Sequence, residues 1–295
     1  MANDKISLNA LLGEAESKNI SLNALLVPLS AADLEITEAE LLAKMADMLK
    51  VMEESAAYGL TGVRSHSGLT GGSAKTLAEA SAQPGFKQLL GELATDAVTY
   101  ALAVSECNAA MGRIVAAPTA GAAGVLPGVL LALKKHCNLN EDALSRALVV
   151  AGNIGLVIAA RASLAGAVGG CQAECGSAAA MAAGAAVDAL GGTPKQVGDA
   201  VSIVFKNMLG LVCDPVAGLV EVPCIKRNGG AAVQALLAAQ LALAGVGSFI
   251  PADEAIDAMK WVGDSMPCAL RETAGGGLAQ TPSALAWAQA YFERG

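Results

Sequence analysis

Aromatic side chains are nearly missing from this chain, at 3% of 295 residues. Its core must therefore be built from Ala, Leu, Val and Gly, small side chains that let helix backbones approach closely. Charge is also sparse, 16% of residues, and it leans acidic, with a formal net charge of −8 and a pI near 4.8. That balance excludes a nucleic-acid partner, because phosphate binding needs a basic face. A small anionic substrate stays open, since one basic site is enough for a carboxylate. The first residues, MANDKISLNALLGEAESKN, lack a charged segment followed by a continuous apolar run, so no secretory signal is read there. Seven cysteines, an odd number, without an export signal fit free thiols or metal ligation better than disulfides. The cytoplasm is the expected compartment. No lysine sits in a recognisable cofactor loop, so pyridoxal phosphate is not expected.

What the chain has in quantity is apolar sequence, 54% of its residues. Residues 228–252 and 114–133 carry no charge, and either run is long enough to cross a bilayer. The second contains Pro118 and Pro127 and reads as a loop followed by a helix. The first carries Gln234 and Gln240 at helical spacing and has no flanking aromatic anchor, so it reads as a buried central helix. No membrane partner is expected.

The helical period dominates and strand alternation is scarce. Helices are expected at residues 41–57, 86–111, 125–136, 140–160, 177–190, 194–208, 231–243 and 252–264. Thr37 followed by Glu40 reads as a capping box at the start of the first of these. Glycine clusters separate the helical stretches, and none follows a strand and opens a helix as a dinucleotide fingerprint requires. The expectation is an all-α fold, one large multi-helix domain rich in Ala and Gly, with glycine-rich loops forming the site. It would span residues 36–295, preceded by a helical arm at 1–35. That arm repeats ISLNALL at a period of fourteen residues, about four helical turns, so both copies would present one face.

Three cysteines lie in glycine- and proline-rich surroundings: Cys171 in GGCQAECGS, Cys213 in LGLVCDPVAG and Cys224 in VEVPCIKRN. Their spacing is not a local metal signature, and scattered cysteines can equally be small buried hydrophobes. Three thiolates would hold an iron–sulfur cluster and leave one iron open, an arrangement suited to Lewis-acid chemistry. Cys107, Cys137, Cys175 and Cys268 read as buried small side chains. The segment Ser65, His66, Ser67, Gly68, Leu69, Thr70, Gly71, Gly72 offers hydroxyls and backbone N–H groups to an anion, or it forms a tight turn or helix cap. Arg271 would either clamp a carboxylate or pair with a buried acid.

The blocks SHSGLTGG, MGRIVAAPTAGAAGVLPG, GCQAECGSA, GLVCDPVAGLVEVPCIKRN and RETAGGGLA resemble the α chain of the iron–sulfur-dependent L-serine dehydratases, or L-serine ammonia-lyases. The resemblance runs from about residue 54 to about residue 282. It implies that Cys171, Cys213 and Cys224 ligate a 4Fe–4S cluster whose fourth iron meets L-serine, giving pyruvate and ammonia. It also implies that Ser65, Ser67, Thr70, Gly71 and Gly72 contact the substrate carboxylate, with Thr119 and Arg271 shaping the pocket. His66 is a weak candidate for the base, which stays unassigned. Family members carry an ACT-like α/β domain, fused or on a separate β chain. A β-chain partner and a hetero-oligomer are therefore expected. A related β-eliminating lyase acting on cysteine, or a non-catalytic helical binding or membrane protein, is the alternative.

Overall fold

Side chains of Ser7, Ser21, Thr37, Asn140 and Thr193 cap the starts of five helices. A computed structural model describes residues 6–293. Among these residues the helices are α1 (Leu8–Lys18), α2 (Leu22–Asp33), α3 (Glu38–Leu60), α4 (Ser73–Ser81), α5 (Gly91–Ala109), α6 (Val125–Cys137) and α7 (Glu141–Arg161). After them come α8 (Gly166–Gly169), α9 (Ser177–Ala189), α10 (Pro194–Met208), α11 (Cys224–Leu243), α12 (Ala252–Ser265) and α13 (Pro282–Phe292). The fold is all-α. Strand-like pairing among the described residues is limited to two isolated bridges, Arg64 with Gly71 and Cys213 with Arg271.

The capping box at α3 forms as expected. Thr37 Oγ1 accepts the Glu40 N–H at 3.2 Å, and the Glu40 carboxylate accepts the Thr37 N–H at 2.9 Å. Thr193 and Gln196 form a second capping box at α10, and the Asn140 side chain accepts the Ala143 N–H at the start of α7.

Helix α9 is the axis of the molecule. Its sequence, SAAAMAAGAAVDA, is buried from Ser177 to Asp188, with α6, α7, α10 and α11 packed around it. Small residues make this possible. A Cβ on Gly59 of α3 would stand 1.9 Å from the Ala103 carbonyl oxygen of α5, so those two helices touch backbone to backbone. Phe205 is the one aromatic among the largest fully buried side chains of the described residues.

Two expected boundaries move, for physical reasons. Helix α11 begins at Cys224 rather than residue 231, because the Asn-Gly-Gly that reads as a breaker lies inside it. Asn228 is fully buried there, and Gly229 lets α5 approach. Helix α5 begins at Gly91 rather than residue 86, since Gly91 has a φ of 71° that a continuous helix does not accept. Helices α4, α8 and α13 lie outside the expected stretches.

The ISLNALL copies do not share one helix. Asn19, in the left-handed region at φ 53°, ends α1, and each copy starts its own helix with a serine cap. Both helices dock on buried aspartates: Ser7 Oγ and the Leu8 N–H donate to Asp253, and both the Asn23 N–H and side chain donate to Asp188. Leu8, Leu12, Leu22, Leu25 and Leu26 join the main core.

One helix among the described residues, α7, is long and apolar enough to cross a membrane, and most of it is buried among its neighbours. The uncharged run at 228–252 becomes most of α11 and the turn after it, and 114–133 is a loop followed by α6.

Candidate active site

Three loop-to-helix junctions converge at one end of α9. Cys171 follows Gly170, which has φ 76°, and stands at the head of a single π-type turn, Gln172–Gly176, that leads into α9. Such turns are frequent where a helix is adapted for function. Cys213 lies in the loop after α10, where its N–H donates to the Leu270 carbonyl at 2.9 Å and its own carbonyl accepts from the Glu272 N–H at 2.7 Å. Cys224 is the first residue of α11. All three are buried, and all seven cysteines are free thiols.

The thiols lie within electrostatic reach of one another. Burial pushes the Cys213 thiol well up, with negative charge at Cys171, Glu272, Glu174 and Cys224 adding to it. Cys224 is pushed up to about 12, first by burial and then by Cys171 and Glu174. Cys175 takes the opposite part to Cys171. A hydrogen bond between the two sulfurs pulls the Cys171 thiol below its ordinary value and pushes the Cys175 thiol up. A metal takes thiols in their deprotonated form, so binding one here would release protons from these sulfurs.

Buried thiols are the donor type that an iron–sulfur cluster would take. Among the described residues no three His, Cys, Asp or Glu side chains converge tightly enough to grip a single metal. A cluster places its thiolates on different irons, so close convergence is not required. Gly166 lets the backbone pass close to the Cys213 thiol. A Cβ on Gly166 would stand 2.9 Å from Cys213 Sγ and 3.3 Å from carboxylate oxygens of both Glu174 and Glu272. With glycine at 166, no side chain intrudes between the thiol and the two carboxylates.

A polar frame fixes the junctions. Asn228 accepts the Gly124 N–H at 2.9 Å and donates to the Gly121 carbonyl at 2.8 Å and the Cys224 carbonyl at 2.9 Å. It thereby ties the Thr119 loop to the first turn of α11. Gln172, fully buried, donates to the Met259 carbonyl and accepts the Gly210 N–H, each at 2.9 Å. Arg227 pairs with Asp214 at 2.9 Å and donates to the Val212 carbonyl at 2.7 Å, and Asp214 accepts the Leu278 N–H at 2.7 Å. Thr119 Oγ1 donates to Glu174. Burial pushes the Glu174 carboxyl up, against the pull of Thr119 and with the help of Glu272.

The Ser65–Gly72 loop reaches the same region through Glu221, three residues before Cys224. Ser67 Oγ and Thr70 Oγ1 each donate to its carboxylate at 2.7 Å. Ser65 Oγ is buried and accepts the Thr70 N–H, while the backbone N–H groups of Ser65, His66, Gly68 and Leu69 are used within the protein. His66 is exposed. Gly71 bridges to Arg64, and Gly72 precedes α4, whose first N–H groups are capped by buried Glu106.

Arg271 is bridged to Cys213 and its guanidinium reaches the Val168 carbonyl at 3.5 Å; among the described residues it has no acidic partner. Cys175 belongs to the site, Cys107 is buried, and Cys137 is half-buried. Cys268 is exposed rather than buried, because it begins a short turn at the edge of the Arg271 loop. Glu174, Glu221 and Asn228 are the residues that sequence reasoning missed. Glu174 and Asn228 each stand three or four residues from a site cysteine, a helical spacing that would have singled them out.

Residues 5–279 match the family described as serine dehydratase alpha chain. The chain belongs to that family. It is 50% identical over 277 residues, 94% of its length, to the probable L-serine dehydratase alpha chain of Bacillus subtilis, covering 92% of that protein. It is 46% identical to the L-serine dehydratase alpha chain of Peptoniphilus asaccharolyticus over 82% of this chain and 83% of that one. With the L-serine dehydratase of Streptomyces coelicolor it shares 50% identity over 61% of its length, which covers 40% of that longer protein. The family thus includes both alpha chains of this size and proteins in which such a segment is part of something larger.

Proposed function

We propose that this chain is the α subunit of an L-serine ammonia-lyase, which converts L-serine to pyruvate and ammonia by loss of the α-proton and the hydroxyl group, followed by hydrolysis of the enamine. The observation that carries this is the convergence of Cys171, Cys213 and Cys224 in a chain of the serine dehydratase family. These cysteines would hold a 4Fe–4S cluster, which supplies a Lewis acid for a hydroxide leaving group that is otherwise poor.

The chain's own residues do the rest. The polar frame of Asn228, Gln172 and the Arg227–Asp214 pair keeps the three sulfurs in register. Arg271, a cation without an acid, is placed beside Cys213 to receive the substrate carboxylate. Thr119 orients the Glu174 carboxyl, which burial keeps closer to its protonated form. The half-buried Ser65–Thr70 loop forms a second wall. The partner is a β chain with an ACT-like domain, and the complex works in the cytoplasm.

The test is turnover. The iron-reconstituted chain, together with its β chain, forms pyruvate from L-serine under anaerobic conditions. A carbonyl reagent leaves the rate unchanged and an iron chelator abolishes it. Faster sulfide release from L-cysteine than pyruvate release from L-serine would instead identify a cysteine-specific lyase.

A further inference from the structure

A cavity of about 640 Å³ opens between the end of α10 and the first turns of α11. Leu209, Leu211 and Pro223 give it apolar walls, and Lys226 and Arg227 give it charge. No aspartate or glutamate lines it, and neither does Thr119, Arg271 or any cysteine. The proposed reaction leaves this space without a role.

Its two cations are only partly used. Lys226 is exposed and has no acidic partner among the described residues. Arg227 is half-buried and committed through one nitrogen: Nη1 pairs with Asp214 at 2.9 Å and donates to the Val212 carbonyl at 2.7 Å. A guanidinium carries five N–H donors, and those on Nε and Nη2 have no acceptor among the described residues. That edge is the fork that takes a carboxylate through two parallel hydrogen bonds. Helix α11 adds to the field. It starts without a capping side chain and without an acid in its first turn, so nothing in that turn offsets its positive end.

The walls also exclude a ligand class. The ammonium group of an amino acid would find no carboxylate in the lining and would meet Lys226 instead. The remaining surface is largely apolar, and cavities of this size take a whole drug-sized molecule. Gly230 lies in the wall, with open space where a side chain would stand.

We propose that this cavity binds a monocarboxylate with an apolar body and no ammonium group. The carboxylate lies on Arg227 Nε and Nη2, with Lys226 as a second positive charge, and the body lies against Leu209, Leu211 and Pro223. Arg227 also holds Val212 and Asp214, the two residues flanking Cys213, so the site is tied to the loop that carries that cysteine. The site does not depend on the lyase activity, and binding rather than turnover tests it.

The experiment is isothermal titration calorimetry of the full chain, alone and in complex with its β chain. The probes are phenylpropionate, L-phenylalanine and acetate. L-phenylalanine is phenylpropionate with an α-ammonium group added, and acetate keeps the carboxylate without the body. Phenylpropionate should bind, and the other two by roughly 10-fold or more less tightly, one through like-charge repulsion and one through lost apolar burial. Gly230→Leu fills the cavity from a helical position with ordinary backbone angles. It should weaken phenylpropionate by roughly 10-fold or more, through overfilling. Lys226→Gln should weaken it by roughly 3-fold, as for an exposed ion pair. Equal affinity for L-phenylalanine, or unchanged affinity in either folded variant, overturns the site. So does absence of binding. Binding to the lone chain that disappears in the complex overturns it too, because the β chain then covers the cavity.

Discussion

Thr119 donates its hydroxyl proton to Glu174 across 2.5 Å, joining the loop before α6 to the π-type turn that begins at Cys171. The same hydroxyl oxygen accepts the Ala122 N–H at 3.3 Å, so one side chain both caps the short turn after it and fixes a carboxyl in the site. Thr119→Val keeps the shape and removes both bonds. It should lower the unfolding free energy by about 1–2 kcal/mol, measured by denaturant titration of the metal-free chain.

Asn228 is a stronger case, because its amide uses three hydrogen bonds at zero exposure. Asn228→Ala leaves the Gly124 N–H and the Gly121 carbonyl without partners. The expected loss is about 3 kcal/mol, accompanied by weaker iron retention, since the first turn of α11 loses its tie to the Thr119 loop. Unchanged stability would mean that water replaces the amide.

Gly166→Ala separates the site from the fold. The added methyl would stand 2.9 Å from Cys213 Sγ, and the backbone there is not in a glycine-only conformation. The metal-free chain should lose only about 1 kcal/mol of stability, the low end for overpacking. Iron bound after reconstitution should fall by more than half. Full iron loading would show that nothing occupies the space beside Cys213.

A pH effect is expected far from the site. Partial burial opposes ionisation of Asp96, but hydrogen bonds from Lys135 and His136 outweigh it and hold the carboxyl below its ordinary value. A depressed carboxyl pKa stabilises the fold above the unfolded-state value of about 3.9 and loses that effect as pH falls through the folded-state value. The groups are partly exposed, so the contribution is about 0.5–1 kcal/mol. Thermal midpoints of wild type and Asp96→Asn should differ at pH 7 and converge below about pH 4.

The helices were largely legible because their signals are local. Thr37 with Glu40, Asn140 and Thr193 with Pro194 mark helix starts by side-chain chemistry that acts within one turn. Tertiary packing decided the exceptions. Asn228 and Gly229 read as a breaker until their contacts with Gly121, Gly124 and α5 are seen. The ISLNALL copies looked like one continuous face because nothing local announces that Asn19 turns left-handed. At the site, the cysteines and Arg271 were visible as residue types in distinctive blocks. The partners of the Ser67 and Thr70 hydroxyls were not, since Glu221 lies more than 150 residues away along the chain.

Iron and acid-labile sulfide per chain after anaerobic reconstitution test most directly whether Cys171, Cys213 and Cys224 hold one cluster. Wild type should bind about four of each, and Cys213→Ser far fewer, with both chains equally well folded. Equal iron in the two, or none in either, would contradict the cluster and leave Cys171, Cys213 and Cys224 as structural thiols.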